Sequence, residues 1–306
     1  MRALITGAGG FAGGHLAAHC RTSGDEVAEV SRSTGTDLLD AGAARAAIAD
    51  ARPDVVYHLA ARAHVGESWE APGRFLAENV AMALNMLEAV RADAPEATVV
   101  AVASGELYGA PAALPVGEDA PLRPQNPYAV SKASADLLAG FYADAHGLRV
   151  IRARAFNHAG PGQEPIYAIA SFARQAAEAA ERGEDPIVFR TGNPDTRRDY
   201  TDVRDVVRAY RLLAARAEPG IYNVCSGRST SAREILELLA QAAGAGLDHR
   251  VDPSLVRAHE VMEVRGDPSR LQAATGWEPE IPLERTLADT VAWWREQLRS
   301  GRAGRA

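Results

Sequence analysis

The run Arg2-Ala3-Leu4-Ile5-Thr6 is short and apolar and stops at Gly7, after which Gly7-Ala8-Gly9-Gly10-Phe11-Ala12-Gly13 opens a helical pattern that lasts to Arg21. A strand that breaks on glycines and turns straight into a helix is compatible with few folds. Glycine is needed where backbone presses against a bound group, and a helix amino terminus offers unpaired N–H groups and the positive end of its dipole to an anion. A glycine string elsewhere is often only a turn. Standing on the first strand, this one predicts an α/β fold with a Rossmann-type doubly wound parallel sheet, in which Gly7, Gly10, Phe11, Ala12 and Gly13 meet a dinucleotide pyrophosphate.

The second predicted strand, Glu26 to Val30, ends where an Asp or Glu would bond the 2′-hydroxyl of NAD. Here the chain reads Ser31-Arg32-Ser33. A guanidinium suits a 2′-phosphate and no carboxylate stands there to repel it, so NADP(H) is favoured and NAD(H) is the second choice. The plainer reading of Arg32 is a solvated side chain at a strand end. Asp37-Leu38 is placed near the adenine, with an Asx turn as the ordinary alternative. A third strand, Asp54 to Ala61, runs into Leu59-Ala60-Ala61, residues small enough to let backbone pass close to the cofactor. His58 and His64 lack metal spacing and read as packed histidines, so no metal is expected. Asn79, in apolar company on a helix from Pro72 to Arg91, needs buried partners and is read as a brace.

The fourth strand, Ala97 to Ala103, delivers Ser104-Gly105-Glu106-Leu107-Tyr108-Gly109 to the carboxyl edge of the sheet, where such folds bind ligands. Beside it the helix Pro127 to His146 carries Tyr128 and Lys132, and Lys132 is the only lysine among 33 Lys plus Arg. Spacing of i and i+4 sets phenol and ammonium on one helix face. A compact ammonium approaches a hydroxyl as a guanidinium does not. Lowering a phenol from its ordinary pKa by about three units takes about 4 kcal/mol, which a neighbouring cation in a partly dry site supplies in good part. A bare Tyr-x-x-x-Lys also occurs on solvated helix faces, where the ring only packs on the lysine stem.

Composition narrows the function. A net charge of −7 over 306 residues implies no basic face for nucleic acid or a membrane surface, and two cysteines, Cys20 and Cys225, make no disulfide framework. No apolar run reaches transmembrane length and no signal peptide precedes the first strand, so a cytoplasmic enzyme is expected. Later elements are predicted at 168–182 (helix), 186–190 (strand), 201–216 (helix), 220–224 (a strand returning to the main sheet), 232–243 and 283–298 (helices). Residues 301–306 read as a tail.

The glycine loop, Ser104, Tyr128-Ala129-Val130-Ser131-Lys132, Asn157-His158-Ala159-Gly160-Pro161-Gly162-Gln163, Thr201-Asp202-Val203-Arg204-Asp205-Val206 and Thr275-Gly276-Trp277 with Ile281-Pro282-Leu283 together resemble the extended short-chain dehydrogenase/reductase family of nucleotide-sugar enzymes, over nearly the whole chain. Within it the likeness is to enzymes that reduce the 4-keto group of a GDP-4-keto-6-deoxyhexose with NADPH. The resemblance implies Tyr128 as general acid, Lys132 on the nicotinamide ribose and Ser104 on the sugar carbonyl. It implies substrate contacts from Asn157, Arg198 and Arg257, and Tyr167 is set beside them as a ring for the base. A surface salt bridge is the commoner use of either arginine, and packing of the tyrosine. Glu106 keeps a 4,6-dehydratase alternative open, because the same Ser-x-Glu pattern serves elimination there; a 4-epimerase needs the same tyrosine. A non-catalytic protein sensing NADP(H) is the remaining alternative.

Three departures from the family pattern stand out: Ala155 where proline is usual, Gly105 where relatives carry a second hydroxyl, and Arg257-Ala258-His259-Glu260 for Arg-Pro-x-Asp. The expected organisation is an NADP-binding domain at 1–156 with the chain returning at about 197–224, and a smaller α/β substrate-binding cap from 157–196 and 225–300. Apolar residues on a second face of the two long helices, Leu137, Leu138 and Phe141 among them, predict a homodimer.

Overall fold

The computed structural model describes residues 1–256 and 261–301. In chain order the first elements are β1 (Arg2–Thr6), α1 (Phe11–Thr22), β2 (Glu26–Val30), α2 (Ala41–Ala51), β3 (Val55–His58), α3 (Val65–Glu70), α4 (Pro72–Asp93), β4 (Thr98–Ser104), α5 (Pro127–His146) and β5 (Val150–Ala155). There follow β6 (Asn157–Ala159), α6 (Ala168–Arg182), β7 (Ile187–Thr191), β8 (Arg197–Asp202), α7 (Val203–Arg216), β9 (Gly220–Val224) and β10 (Ser229–Ser231). The last are α8 (Ala232–Ala243), β11 (Leu247–Val251), β12 (Glu263–Val264), α9 (Ser269–Thr275) and α10 (Leu283–Arg299).

The chain forms two compact units. The first, Met1–Phe156 with Val206–Val224 and Gly266–Glu278, holds six strands in the order β2-β1-β3-β4-β5-β9, all parallel. The central strands β1, β3, β4 and β5 are mostly buried, as a sheet covered by helices requires, while edge strand β2 is part-exposed. On one face Met86, Leu87 and Val90 of α4 and Ala139 and Tyr142 of α5 close over Leu4, Val56, Val99 and Val150. Leu16, Ala17 and Cys20 of α1 are buried as well. The chain leaves β1 for β2 on one side and returns to β3 on the other, so the carboxyl ends of β1 and β3 flank the switch point at which doubly wound sheets take their ligands.

The second unit is Asn157–Asp205, Cys225–Arg265 and Pro279–Ala306. Its β8 lies between antiparallel β10 and parallel β12 and also pairs with β6, while β7 and β11 form a parallel pair. Helices α6, α8 and α10 bury Ala173, Ala177, Leu236, Leu239, Leu287 and Trp294 together. Two boundaries differ from the sequence expectation. The chain rejoins the first unit at Val206 and not at 197, because Arg197–Asp202 is a strand of the second unit's sheet. Gly266–Glu278 belongs with the first unit, where Asp267 N–H donates to the Val116 carbonyl at 3.0 Å.

Candidate active site

Gly7 takes a left-handed φ of +71°, and a Cβ there would stand 2.9 Å from the Ala60 nitrogen, so the turn after β1 and the chain after β3 touch through backbone alone. At Gly13 a Cβ would come within 2.1 Å of the Gly7 carbonyl oxygen, which fixes glycine wherever α1 packs this closely on the strand turn. Gly10 is the N-cap of α1, with no side chain capping the helix. Phe11 and Ala12 fill the first turn, half-buried. A glycine turn packed this closely on its neighbours, ending in a helix amino terminus that no side chain caps, fits a pyrophosphate.

The neighbouring residues complete the groove. Thr6 Oγ1 bonds His58 Nδ1 at 2.9 Å and accepts the Ala60 N–H at 3.2 Å, tying β1 to Leu59-Ala60-Ala61. Burial drives His58 down to about 3, with the Lys132 charge adding, so its imidazole is neutral, as a packed histidine should be. Ser31 and Thr34 close a capping box around a single 3₁₀ turn. Arg32 on that turn is exposed, and among the described residues no carboxylate or carbonyl bonds its guanidinium. Asp37 makes the Asx turn, accepting the Leu39 N–H at 3.1 Å. The Leu38 side chain, 4% exposed, packs with Val30, Ala44 and Ile48, so it turns into the core while Asp37 stays exposed.

The catalytic candidates gather at the ends of β4 and α5. Asn126 caps α5, taking the Ala129 N–H at 2.7 Å, and Pro127 occupies the first turn, where its missing N–H costs nothing. The same Asn126 amide donates to Glu106 Oε2 at 3.2 Å. Ser104 Oγ accepts the Glu106 N–H at 3.2 Å and caps the 3₁₀ turn Gly105–Tyr108. Gly105 sits close under a ring: a Cβ there would stand 3.0 Å from Phe156, so a larger residue needs that ring to give way slightly.

Lys132 is 7% exposed and donates to the Val102 carbonyl at 2.5 Å. Burial lowers its pKa to about 8, opposed by Asp136, which places its titration close to neutral. Tyr128 stands one turn earlier, half-buried. Asn79 is the brace expected of it: its amide nitrogen bonds Ser131 Oγ at 2.8 Å and the Arg62 carbonyl at 3.1 Å, and its oxygen takes the Arg62 N–H at 2.7 Å. Ser131 Oγ in turn donates to the Tyr128 carbonyl at 2.7 Å, so the loop after β3 is bonded to the helix turn that carries the tyrosine.

In the second unit Asn157 opens β6 opposite Tyr200, and Tyr167 precedes α6 half-buried. Arg198 spends one N–H on the Arg197 carbonyl at 2.8 Å, and among the described residues no carboxylate pairs with it. Arg257 lies outside the described residues. The Thr-Asp-Val-Arg-Asp segment proves to be scaffold. Asp202 holds Arg204 and the Thr286 hydroxyl at 2.7 Å, and Asp205 takes the N–H groups of Glu280 and Ile281 at 2.9 and 2.8 Å.

Asp136, Arg154 and Asn126 join the site from outside the residues predicted from sequence. The first was visible as the third member of an i, i+4, i+8 series from Tyr128, the last as a capping residue before a proline. Among the described residues no group of His, Cys, Asp and Glu forms a metal site, and no helix is long and apolar enough to cross a membrane.

A parallel sheet with a glycine cradle at its switch point and a tyrosine–lysine helix at the end of its fourth strand defines an NAD(P)-dependent enzyme architecture, and the chain belongs to the extended short-chain dehydrogenase/reductase family of nucleotide-sugar enzymes. A sequence model of the family described as GDP-mannose 4,6 dehydratase matches residues 34–290. The GDP-6-deoxy-D-mannose reductase of Pseudomonas aeruginosa is 38% identical over 302 residues, covering 98% of this chain and 99% of that protein. The GDP-mannose 4,6-dehydratase of Yersinia enterocolitica is 28% identical over 348 aligned positions, covering 95% of this chain and 93% of that protein. Among solved structures, that of RMD from Pseudomonas aeruginosa complexed with NADPH is 37% identical with a TM-score of 0.88, covering 96% of this chain and 98% of that one.

Proposed function

We propose that this chain reduces the 4-keto group of a GDP-4-keto-6-deoxyhexose with NADPH. The observation that carries the choice is length. The reductase relative is matched over 302 positions, whereas the dehydratase needs 348 to cover 95% of the chain, so it has segments this chain lacks. The short turn at Ser31–Asp37 agrees, since GDP-mannose-using dehydratases resembling this chain carry a longer arginine-rich loop there.

NADPH would rest on Gly7, Gly10, Phe11, Ala12 and Gly13, with Ser31 and Arg32 at the 2′-phosphate, Asp37-Leu38 and Leu59-Ala60-Ala61 along its length, and Lys132 at the nicotinamide ribose. When bound, it supplies the hydride. Tyr128 gives its proton to the sugar oxygen, Lys132 favours the phenolate that is left, and Ser104 donates a hydrogen bond to that oxygen. Each acts on charge that develops during reaction, which raises rate and not merely affinity. Arg198, which pairs with no carboxylate among the described residues, suits the diphosphate; Asn157 and Tyr167 would hold the rest of the nucleotide in the second unit as the substrate-binding part. A cytoplasmic enzyme fits this substrate.

Glu106 supports a second reading. It is half-buried two residues after Ser104 and held by Asn126, and would serve as the base of a dehydratase. One comparison separates the two. Given GDP-mannose alone, a dehydratase turns over on tightly held cofactor; the reductase does nothing until it receives the keto-sugar and NADPH, and then oxidises NADPH stoichiometrically. Conversion of GDP-mannose without added cofactor would overturn the proposal.

The assembly we infer is a homodimer through α4 and α5, whose Leu76, Leu84, Leu137 and Phe141 are exposed, Phe141 at 56%. Light scattering should give twice the chain mass, reduced to one chain by Phe141→Glu with Leu137→Glu; a monomeric wild type would refute it.

A further inference from the structure

Asp136 lies one helical turn beyond Lys132 and is fully buried, far from any surface role. Its carboxylate takes Arg154 Nη2 at 2.8 Å and Nε at 3.4 Å, and Arg152 Nη1 at 3.4 Å from the adjacent strand position. Arg154 continues into Tyr108 Oη at 2.9 Å and the Glu118 carbonyl at 3.0 Å, and Tyr108 donates to Asn223 Oδ1 at 2.8 Å. The carboxylate is therefore clamped from β5. Asp136 and Lys132 also border one cavity of about 20 Å³, walled otherwise by His58, Asn79 and apolar side chains of α4, α5 and β4. That is room for about one water.

The ammonium's surroundings explain why this matters. The cavity beside it is lined from β3 by His58, which is neutral, from β4 by Val102, whose carbonyl takes the ammonium, from α4 by Asn79 and from its own helix by Asp136, while the arginines of β5 are already spent on Asp136. Among the described residues Asp136 is thus the one carboxylate lining that cavity, and an ammonium withdrawn from water without a counter-charge tends to lose its proton.

We propose that Asp136 is a positioning residue of the reaction: held by Arg154 and Arg152, it is the fixed counter-charge that keeps the Lys132 ammonium protonated and aimed at the phenol one turn back. Resting on the catalytic reading of Lys132, the proposal adds to it a source for the lysine's charge. Arg154 serves as the clamp, and Arg152, partly solvated, tempers the carboxylate's field.

Because Lys132 is the only lysine, protein grown on lysine labelled with carbon-13 at Cε gives a single lysine signal whose titration needs no assignment and no turnover. Wild type should titrate near pH 8. Asp136→Asn should lower that midpoint by about one pH unit, and the alkaline limb of the turnover profile should fall with it. Arg152→Gln, which unmasks the carboxylate, should move both upward by a few tenths of a unit. A folded Asp136→Asn protein whose lysine midpoint stays put overturns the proposal. Should that variant fail to fold, Arg152→Gln decides: an upward midpoint supports the proposal and an unmoved one overturns it. If the lysine midpoint moves while the turnover limb does not, the counter-charge stands and the catalytic role of Lys132 fails.

Discussion

Gly13 and Gly14 are adjacent in α1, yet their surroundings call for opposite outcomes on substitution by alanine. A Cβ on Gly13 meets the Gly7 oxygen at 2.1 Å and the Ala8 Cα at 2.8 Å, both backbone; a Cβ on Gly14 meets nothing closer than 3.7 Å. Neither backbone atom can swing aside as a side-chain tip could, so Gly13→Ala must lift α1 from the turn by about 1 Å. Overpacking of this kind costs about 3 kcal/mol or more. The lift also carries the open N–H groups away from the pyrophosphate, and NADPH affinity should fall at least tenfold. Gly14→Ala fills open space in an exposed helix position and should stabilise by up to about 1 kcal/mol with NADPH binding unchanged. Urea melts of the unliganded protein and a fluorescence titration with NADPH give both readouts. If Gly13→Ala melts and binds like wild type, the packing of α1 on the β1 turn is wrong and the cradle argument with it.

Tyr128→Phe should lower turnover about a hundredfold or more with NADPH affinity within a few-fold of wild type; near-normal turnover would remove the general acid. Arg32→Ala should weaken NADPH by tenfold or more while leaving NADH nearly unaffected, since a charged hydrogen bond is worth about 1.5–3 kcal/mol; equal effects on both would take Arg32 off the 2′-phosphate. His58 has a folded pKa near 3 against about 6.5 unfolded, so the unfolded chain binds the extra proton and stability drops as acid is added. Between pH 6.5 and 5, before carboxylates titrate, about 2 kcal/mol should be lost, and His58→Gln should flatten that slope in urea melts; an undiminished slope would contradict the buried neutral ring.

The first unit was legible because its signals are local. Glycines required by backbone contact and apolar runs with the right period each mark an element without help from distant residues. Strand Arg197–Asp202 escaped because Arg-Arg-Asp-Tyr-Thr-Asp has no apolar alternation. It is a strand through its neighbours: β6, β10 and β12 supply its ladder, and Asp199 accepts the Ser226 and Gly227 N–H groups at 2.9 and 3.0 Å. The Thr-Asp-Val-Arg-Asp segment carried the family resemblance, and its work as a tie for the chain at Glu280–Ile281 shows only once those residues are placed beside it in space. Asp136 was hidden for a similar reason. A buried aspartate is recognisable only once Arg154, eighteen residues away, is seen to hold it.

The most direct test uses NADPH carrying deuterium at its transferable position, with GDP-4-keto-6-deoxymannose as substrate and mass spectrometry of the sugar nucleotide formed. A reductase built on Tyr128 and the glycine cradle should yield a GDP-6-deoxyhexose holding one deuterium on carbon, at a rate that collapses in Tyr128→Phe. A product without deuterium, or loss of water from GDP-mannose with no NADPH consumed, would contradict it.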